Sequence, residues 1–328
     1  MVGKPQPSGR QAPPHRSPRA MSVSSRYILQ QGPVLGALAR GALGALRGAA
    51  GGPPPITPGP WLNDRLPPRD PELVRAYVRH VGGDPSSYRD TLPPHLFPQW
   101  VFPLQARALQ GVPYPMQKVL NGGCRVEVLA PLPQGEPLLV ATRLDDIDDD
   151  GRRAILRFLA TTGTPSAPEA LRVHLHAIVP LGAKSTAKKS TATKSTAKTG
   201  KPKKKAKPRV PADARELARW RLPHDAGLDF AKLTGDFNPV HWVPPYARAF
   251  GFRDVILHGF STFARTWESL RHARRAAPRM LDARFTRPLV LPARVGVYVG
   301  EPDAAGEQPV HVGDAAGGPA YLQGRFAL

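Results

Sequence analysis

Two short stretches of this 328-residue chain hold side chains whose types and spacing could do chemistry: Thr234-Gly235-Asp236-Phe237-Asn238-Pro239-Val240-His241, and downstream Val255-Ile256-Leu257-His258-Gly259. Gly235 and Pro239 punctuate the chain around Asn238, so Asp236 and His241 can converge from a loop instead of lying on opposite faces of a helix. A carboxylate beside an imidazole can hold a water and exchange protons with it. Gly259 precedes an amphipathic run, and the free N–H groups at such a helix start favour a developing oxyanion. Taken singly, Asp236 also reads as an N-cap or Asx-turn residue and His241 as a turn cap. Asn238 reads as orienting the loop or bonding its neighbours, and His258 as packing beside the helix start or touching substrate.

The surrounding pattern supplies elements that could position this loop. Phe260, Phe263, Ala264, Trp267 and Leu270 form one helical stripe, with Arg265, Glu268, Arg271 and Arg274 elsewhere, which predicts a helix burying its aromatic side. Strands are expected at 283–285, 293–299, 310–312 and 321–327. An earlier block shows the same order: Leu73, Val74, Tyr77, Val78 and Val81 at helical spacing after Pro71, then strands at 124–129, 138–144, 154–161 and 171–179. Val173, Leu175 and Ala177 alternate with Arg172, His174 and His176, placing both histidines on one solvent-facing side. Helical material followed by strands, twice, predicts α+β, with an antiparallel sheet covering a helix in each block.

Asp-Phe-Asn-Pro-Val-His with a downstream Ile-Leu-His-Gly resembles the D-x-N-P-x-H and I-x-H-G pattern of MaoC-like (R)-specific enoyl-CoA hydratases, which have the hotdog fold. The likeness extends through Arg284-Phe285-Thr286-Arg287-Pro288-Leu289 and covers most of residues 225–300. The first block is fainter: Val119-Leu120-Asn121-Gly122 is aligned with the family's Leu-His-Gly-like segment, and Pro131-Leu132 with Gly135-Glu136 resembles its proline turn. In the second block the usual Pro-Gly-Asp is Pro292-Ala293-Arg294.

The resemblance implies a double hotdog with a non-catalytic first half that shapes the acyl pocket. It assigns Asp236 and His241 to water activation and the Gly259 N–H to polarising a thioester carbonyl. Asn238 and His258 are assigned to substrate, and Arg284 and Arg287 to CoA phosphates or, equally, to a solvated strand face. It implies reversible hydration of a 2-enoyl thioester, carried by CoA or acyl-carrier protein, to an (R)-3-hydroxyacyl product, with neither cofactor nor metal. The assembly would be a monomeric pseudo-dimer or a homodimer. Two other functions stay open: another thioester enzyme such as a thioesterase, and a polyanion- or nucleic-acid-binding protein on a hotdog scaffold.

Charge separates the chain into four parts. Residues 1–63 hold seven Lys/Arg and no acid, and residues 183–209 hold eleven and no acid, so these stretches carry 18 of the net +21. Residues 64–182 and 210–328, the two expected hotdog domains, are nearly balanced at 13 basic to 13 acidic and 15 to 12. The Lys/Ser/Thr/Ala-rich stretch 183–209 is expected to be a disordered linker, with non-specific polyanion contact as its functional reading. Residues 1–63 are expected to be disordered or weakly helical, and the apolar run from Ile28 to Leu46 is broken by four glycines. No apolar run approaches the about 18 residues of a membrane span. A single cysteine, Cys124, excludes an internal disulfide framework and favours a reducing compartment. The cytoplasm is expected, with organelle targeting by residues 1–63 left open.

Overall fold

The computed structural model describes residues 22–32, 34–36, 55–115, 119–181 and 207–328. Residues 1–21, most of the glycine-interrupted run and almost all of the lysine-rich stretch fall outside the described residues, so the expectations made for them stay as stated.

Each block contributes five strands. The first has β1 (Leu62–Leu66), β2 (Leu120–Val128), β3 (Leu138–Asp149), β4 (Arg153–Gly163) and β5 (Leu171–Pro180). The second has β6 (Arg215–Leu222), β7 (Met280–Phe285), β8 (Ala293–Val299), β9 (Gln308–Gly313) and β10 (Ala320–Ala327). All ten join one sheet in the order β1-β3-β4-β5-β2-β7-β10-β9-β8-β6, with every pairing antiparallel. Adding five to each label of the first half and reversing the order gives the second half. The sheet is therefore pseudo-twofold about the β2–β7 seam, where Gly123 to Glu127 run against Arg284 to Met280. Gly123 is needed there: its φ is 137°, and a Cβ would overlap the Ala283 carbonyl oxygen.

The helices are α1 (Pro71–His80), α2 (Pro98–Ala108), α3 (Ala226–Thr234), α4 (Pro244–Ala249) and α5 (Gly259–Arg274). In α5 the predicted stripe is inside, with Phe260, Phe263, Ala264, Trp267 and Leu270 all buried. Phe97 and Phe102 of the first block pack on Phe260 at centroid distances of 5.6 and 5.2 Å, so the two halves share one core. Contrary to the simple stripe, Glu268 is buried too, because α5 is covered by the first block as well as by its own sheet.

The expected boundary at residue 64 is corrected, because β1 begins at Leu62. Ahead of it, Ser25–Gln31 form a short 3-10 helix with Tyr27 and Gln31 buried, and Val34 is buried. Short apolar anchors suffice for this, because the folded halves supply the surface they pack on. Asn121 is also not the first-block counterpart of His258; it lies exposed within β2. The true counterpart follows from backbone pairing. Ile256 bridges Val290 and the Leu257 N–H donates to Leu289 O, as Thr91 bridges Pro133 and the Leu92 N–H donates to Leu132 O. Pro93 and Pro94 thus stand where His258 and Gly259 stand.

Candidate active site

Helix α3 ends where Gly235 turns left-handed at φ 83°, its N–H returning to Ala231 O at 2.8 Å. The next residue is Asp236. Its Oδ1 accepts from the Asn238 N–H at 3.4 Å, and Asn238 Oδ1 accepts from the Val240 N–H at 3.3 Å, capping the 3-10 turn Pro239–His241. Asn238 therefore folds the chain back, and that turn brings His241 toward Asp236. The Val240 carbonyl accepts from the Ile256 N–H at 3.2 Å, and His241 Nδ1 lies 2.8 Å from Ile256 O. Because a carbonyl only accepts, Nδ1 carries the proton and Nε2 keeps its lone pair.

His258 is the N-cap of α5, and its Nε2–H donates to the backbone carbonyl of Asp236 at 2.9 Å. Its ring stacks on that of His241 with centroids 3.5 Å apart and planes 25° apart, while Phe230 covers it from another side at 4.9 Å. The Asp236 carboxylate is 18% exposed whereas His258 is 1% exposed, so the acid lies toward solvent and the second imidazole forms the floor. Asp236, His241 and His258 each present a potential ligand atom within 4.8 Å of the others. Two nearly parallel rings direct their in-plane lone pairs along separate planes, which suits a metal poorly, since ligands must converge on one point.

The site favours neutral imidazoles. Burial lowers the pKa of His241, against the opposing pull of the Asp236 charge and the Ile256 hydrogen bond. Burial, followed by the His241 charge, lowers that of His258 to about 3. At neutral pH His241 thus offers a basic Nε2 beside a carboxylate, which is what removing a proton from a water requires.

The other expected residues fall in different places. Gly259 is the first residue of the sixteen-residue α5, so its N–H belongs to the first turn, which has no intrahelical acceptor. Arg284 is exposed on β7, paired with Gly123 across the seam. Arg287 donates to the Pro208 carbonyl at 3.3 Å, at the C-terminal edge of the lysine-rich stretch. Neither arginine joins the Asp236–His241–His258 cluster. Sequence reading passed over Phe230 as a wall of the site and Gln31 as a neighbour of its loop, because neither carries a local motif. Among the described residues, no helix is long and apolar enough to cross a membrane.

Residues 195–316 match the model of the MaoC like domain. The chain is 37% identical to 3-hydroxyacyl-thioester dehydratase X of Mycobacterium tuberculosis over 103 residues, covering 31% of this chain and 35% of that protein. It is 31% identical to enoyl-CoA hydratase ChsH3 of the same organism over 160 residues, 49% of this chain and 51% of the relative. The chain thus spans about half or less of the curated relatives it matches. Among solved structures, HtdX of M. tuberculosis aligns with TM-score 0.63 at 20% identity, over 82% of this chain and 99% of that one. A second M. tuberculosis protein, described as a double hotdog, aligns with TM-score 0.54 at 15% identity over 84% and 98%. Such identities speak for the fold alone. With the pseudo-twofold sheet and the family match, they establish an α+β double-hotdog protein that carries a MaoC-like domain.

Proposed function

We propose that this protein is a hydro-lyase that reversibly adds water to a 2-enoyl thioester, with enoyl-CoA as the leading substrate and an (R)-3-hydroxyacyl thioester as product. The observation that carries this reading is the pair formed by Asp236 and a neutral His241 whose Nδ1–H is committed to Ile256 O, leaving Nε2 as base. The names of the two curated relatives support the same class of chemistry.

In this mechanism the attacking water sits between the Asp236 carboxylate and His241 Nε2. Its oxygen bonds to C3 as the pair removes a proton, and the π electrons of C2=C3 move toward the thioester carbonyl as an enolate. The proton held by the pair then passes to C2, so water is consumed and the enzyme returns to its starting state. The Gly259 N–H, at the positive end of α5, polarises the carbonyl and holds the enolate oxygen. Asn238 shapes the loop, and His258 fixes Asp236 through its carbonyl oxygen. Phe97 and Phe102 place first-block side chains at the start of α5, consistent with that half shaping the acyl pocket.

The test follows loss of the conjugated enoyl absorbance across short, medium and long chains on CoA and acyl-carrier protein, with chiral analysis of the product. Release of free thiol without hydration would instead support a thioesterase. Retained turnover after exhaustive chelation is expected for water activation by side chains alone, and loss restored by added metal would move the chemistry to a metal held by Asp236, His241 and His258.

A further inference from the structure

The segment that precedes both halves reaches the loop carrying Asp236. Helix α3 leaves its last carbonyls without intrahelical donors. Gln31 Nε2 lies 3.1 Å from Leu233 O and 3.4 Å from Lys232 O. Gln31 is only 1% exposed, and its own Oε1 accepts from Gln99 Nε2 of α2 at 3.2 Å. Two residues beyond Leu233 is the left-handed Gly235, and a Cβ there would stand 2.7 Å from Val34 Cβ. Lys232 Nζ donates to Val23 O at 3.0 Å, closing the contact from the other end of the arm.

From these contacts we infer that the N-terminal arm, through Gln31 and Val34, is a positioning element of the active site, an inference that rests on the function proposed above. The backbone from Leu233 to Asp236 is held at two points. Gln31 fixes its entry, and His258 fixes its exit at Asp236 O. An apolar side chain would anchor the arm equally well. A buried glutamine instead places amide donors on the carbonyls that set the direction in which Asp236 leaves the helix. The arm also binds the first half, since Arg26 pairs with Glu72 and Gln30 with Asp70. It thereby fixes the acid of one half relative to α1 and α2 of the other.

The experiment compares Gln31→Met, which keeps length but removes the donors, with Val34→Ala and the outer-anchor control Arg26→Ala in the full chain. Displacement of a reacting group by about 1 Å can cost up to about a hundredfold. Gln31→Met is therefore expected to lower kcat about tenfold or more with KM within about twofold. Val34→Ala should have a smaller effect in the same direction, and Arg26→Ala, which removes only an exposed outer pair, the smallest. In an Asp236→Asn background Gln31→Met should add less than about a twofold further loss, because its effect passes through Asp236.

A second readout needs no substrate. Gln31→Met should shift the amide resonances of Gly235 and Asp236 and the ring resonances of His241 and His258, while leaving β4 unchanged. If the protein hydrates no thioester, these shifts still report the positioning contact. Unchanged turnover with unmoved loop resonances would overturn the inference, as would an equal loss with and without Asp236. Should Gln31→Met fail to fold, Val34→Ala is judged by the same two readouts.

Discussion

In the N-terminal half the chain passes from the Thr91–Pro133 bridge through Pro93 and Pro94 toward α2. In the C-terminal half it passes from the Ile256–Val290 bridge through His258 and Gly259 into α5. Prolines have no N–H, so the first half cannot present the donor that the second half presents at Gly259. The preceding loops diverge in a matching way. Both follow a left-handed glycine, Gly82 at φ 85° and Gly235 at φ 83°, and both lead to a capped 3-10 turn, with Asp84 and Asn238 as caps. After the glycine the first half has Gly83 where the second has Asp236, and three residues after the cap it has Ser87 where the second has His241.

The space at Gly83 is filled from the other half. A Cβ on Gly83 would lie 2.5 Å from Oε2 of Glu268, which comes from α5. Glu268 Oε1 lies 2.7 Å from His95 Nε2 and accepts from Tyr88 at 2.5 Å, and the Tyr77 hydroxyl lies 3.0 Å from His95 Nδ1. Burial works against the charge on Glu268, yet the hydrogen bond and charge of His95, with Tyr88 and Arg271, hold its pKa below the ordinary carboxylate value. One backbone plan thus supports two outcomes: a loop with an acid, a base and a free N–H, and a loop without them that serves as a polar joint between the halves.

The sharpest way to break this contrast is to strip the second loop. Asp236→Asn and His241→Gln should each lower turnover about a hundredfold to ten-thousandfold with the fold retained, as for general acid–base groups. The double variant should fall far short of the product, since in the proposed mechanism both act on one water. Near wild-type hydration by both single variants would refute the site. Stripping the polar joint between the halves should act on stability instead. Glu268→Ala leaves His95 and Tyr88 buried without their acceptor, and loss of about 3–5 kcal/mol is expected from denaturant unfolding. Turnover of the protein that remains folded should stay close to wild type.

Acid should affect both the loop and the joint. His258 and His241 have folded pKa values below the unfolded value of 6.5, so below that value the unfolded chain binds more protons. Stability should fall as pH drops from 6.5 toward 3, and Glu268, also depressed, contributes stability that is lost at the acid end as pH falls below its unfolded value of 4.5. The acid limb of turnover should lie below 6.5, because His241 must be neutral to act as base. An acid limb at or above that value would contradict a buried neutral base. The smallest effects come from the caps. Asn238→Ala should cost about 1 kcal/mol and lower turnover, whereas Asp84→Ala should leave turnover unchanged. Equal turnover losses from both would remove the functional distinction between the loops.

Much of this was legible in the amino-acid order. The α5 stripe, four strands in each block, and the Asp236–Asn238–His241 loop followed by His258-Gly259 are local patterns, set by side-chain periodicity and by residues that force turns. Strands β1 and β6 were not legible: they are short or charge-rich edge strands, Leu62–Leu66 and Arg215–Leu222, whose outer faces need no apolar alternation. The pairing that exposes Pro93-Pro94 as the counterpart of His258-Gly259 was misread as Asn121, because it depends on bridges to Pro133 and Val290 that lie about 35 to 45 residues away. By itself the sequence determined which groups could do chemistry and the local turns that present them. Tertiary structure decided which nitrogen of His241 is free, that Glu268 belongs to a joint instead of a surface, and that Gln31 meets a helix end 202 residues away. Each of these depends on which distant groups share a low-dielectric interior, a property of packing that no local stretch of sequence specifies.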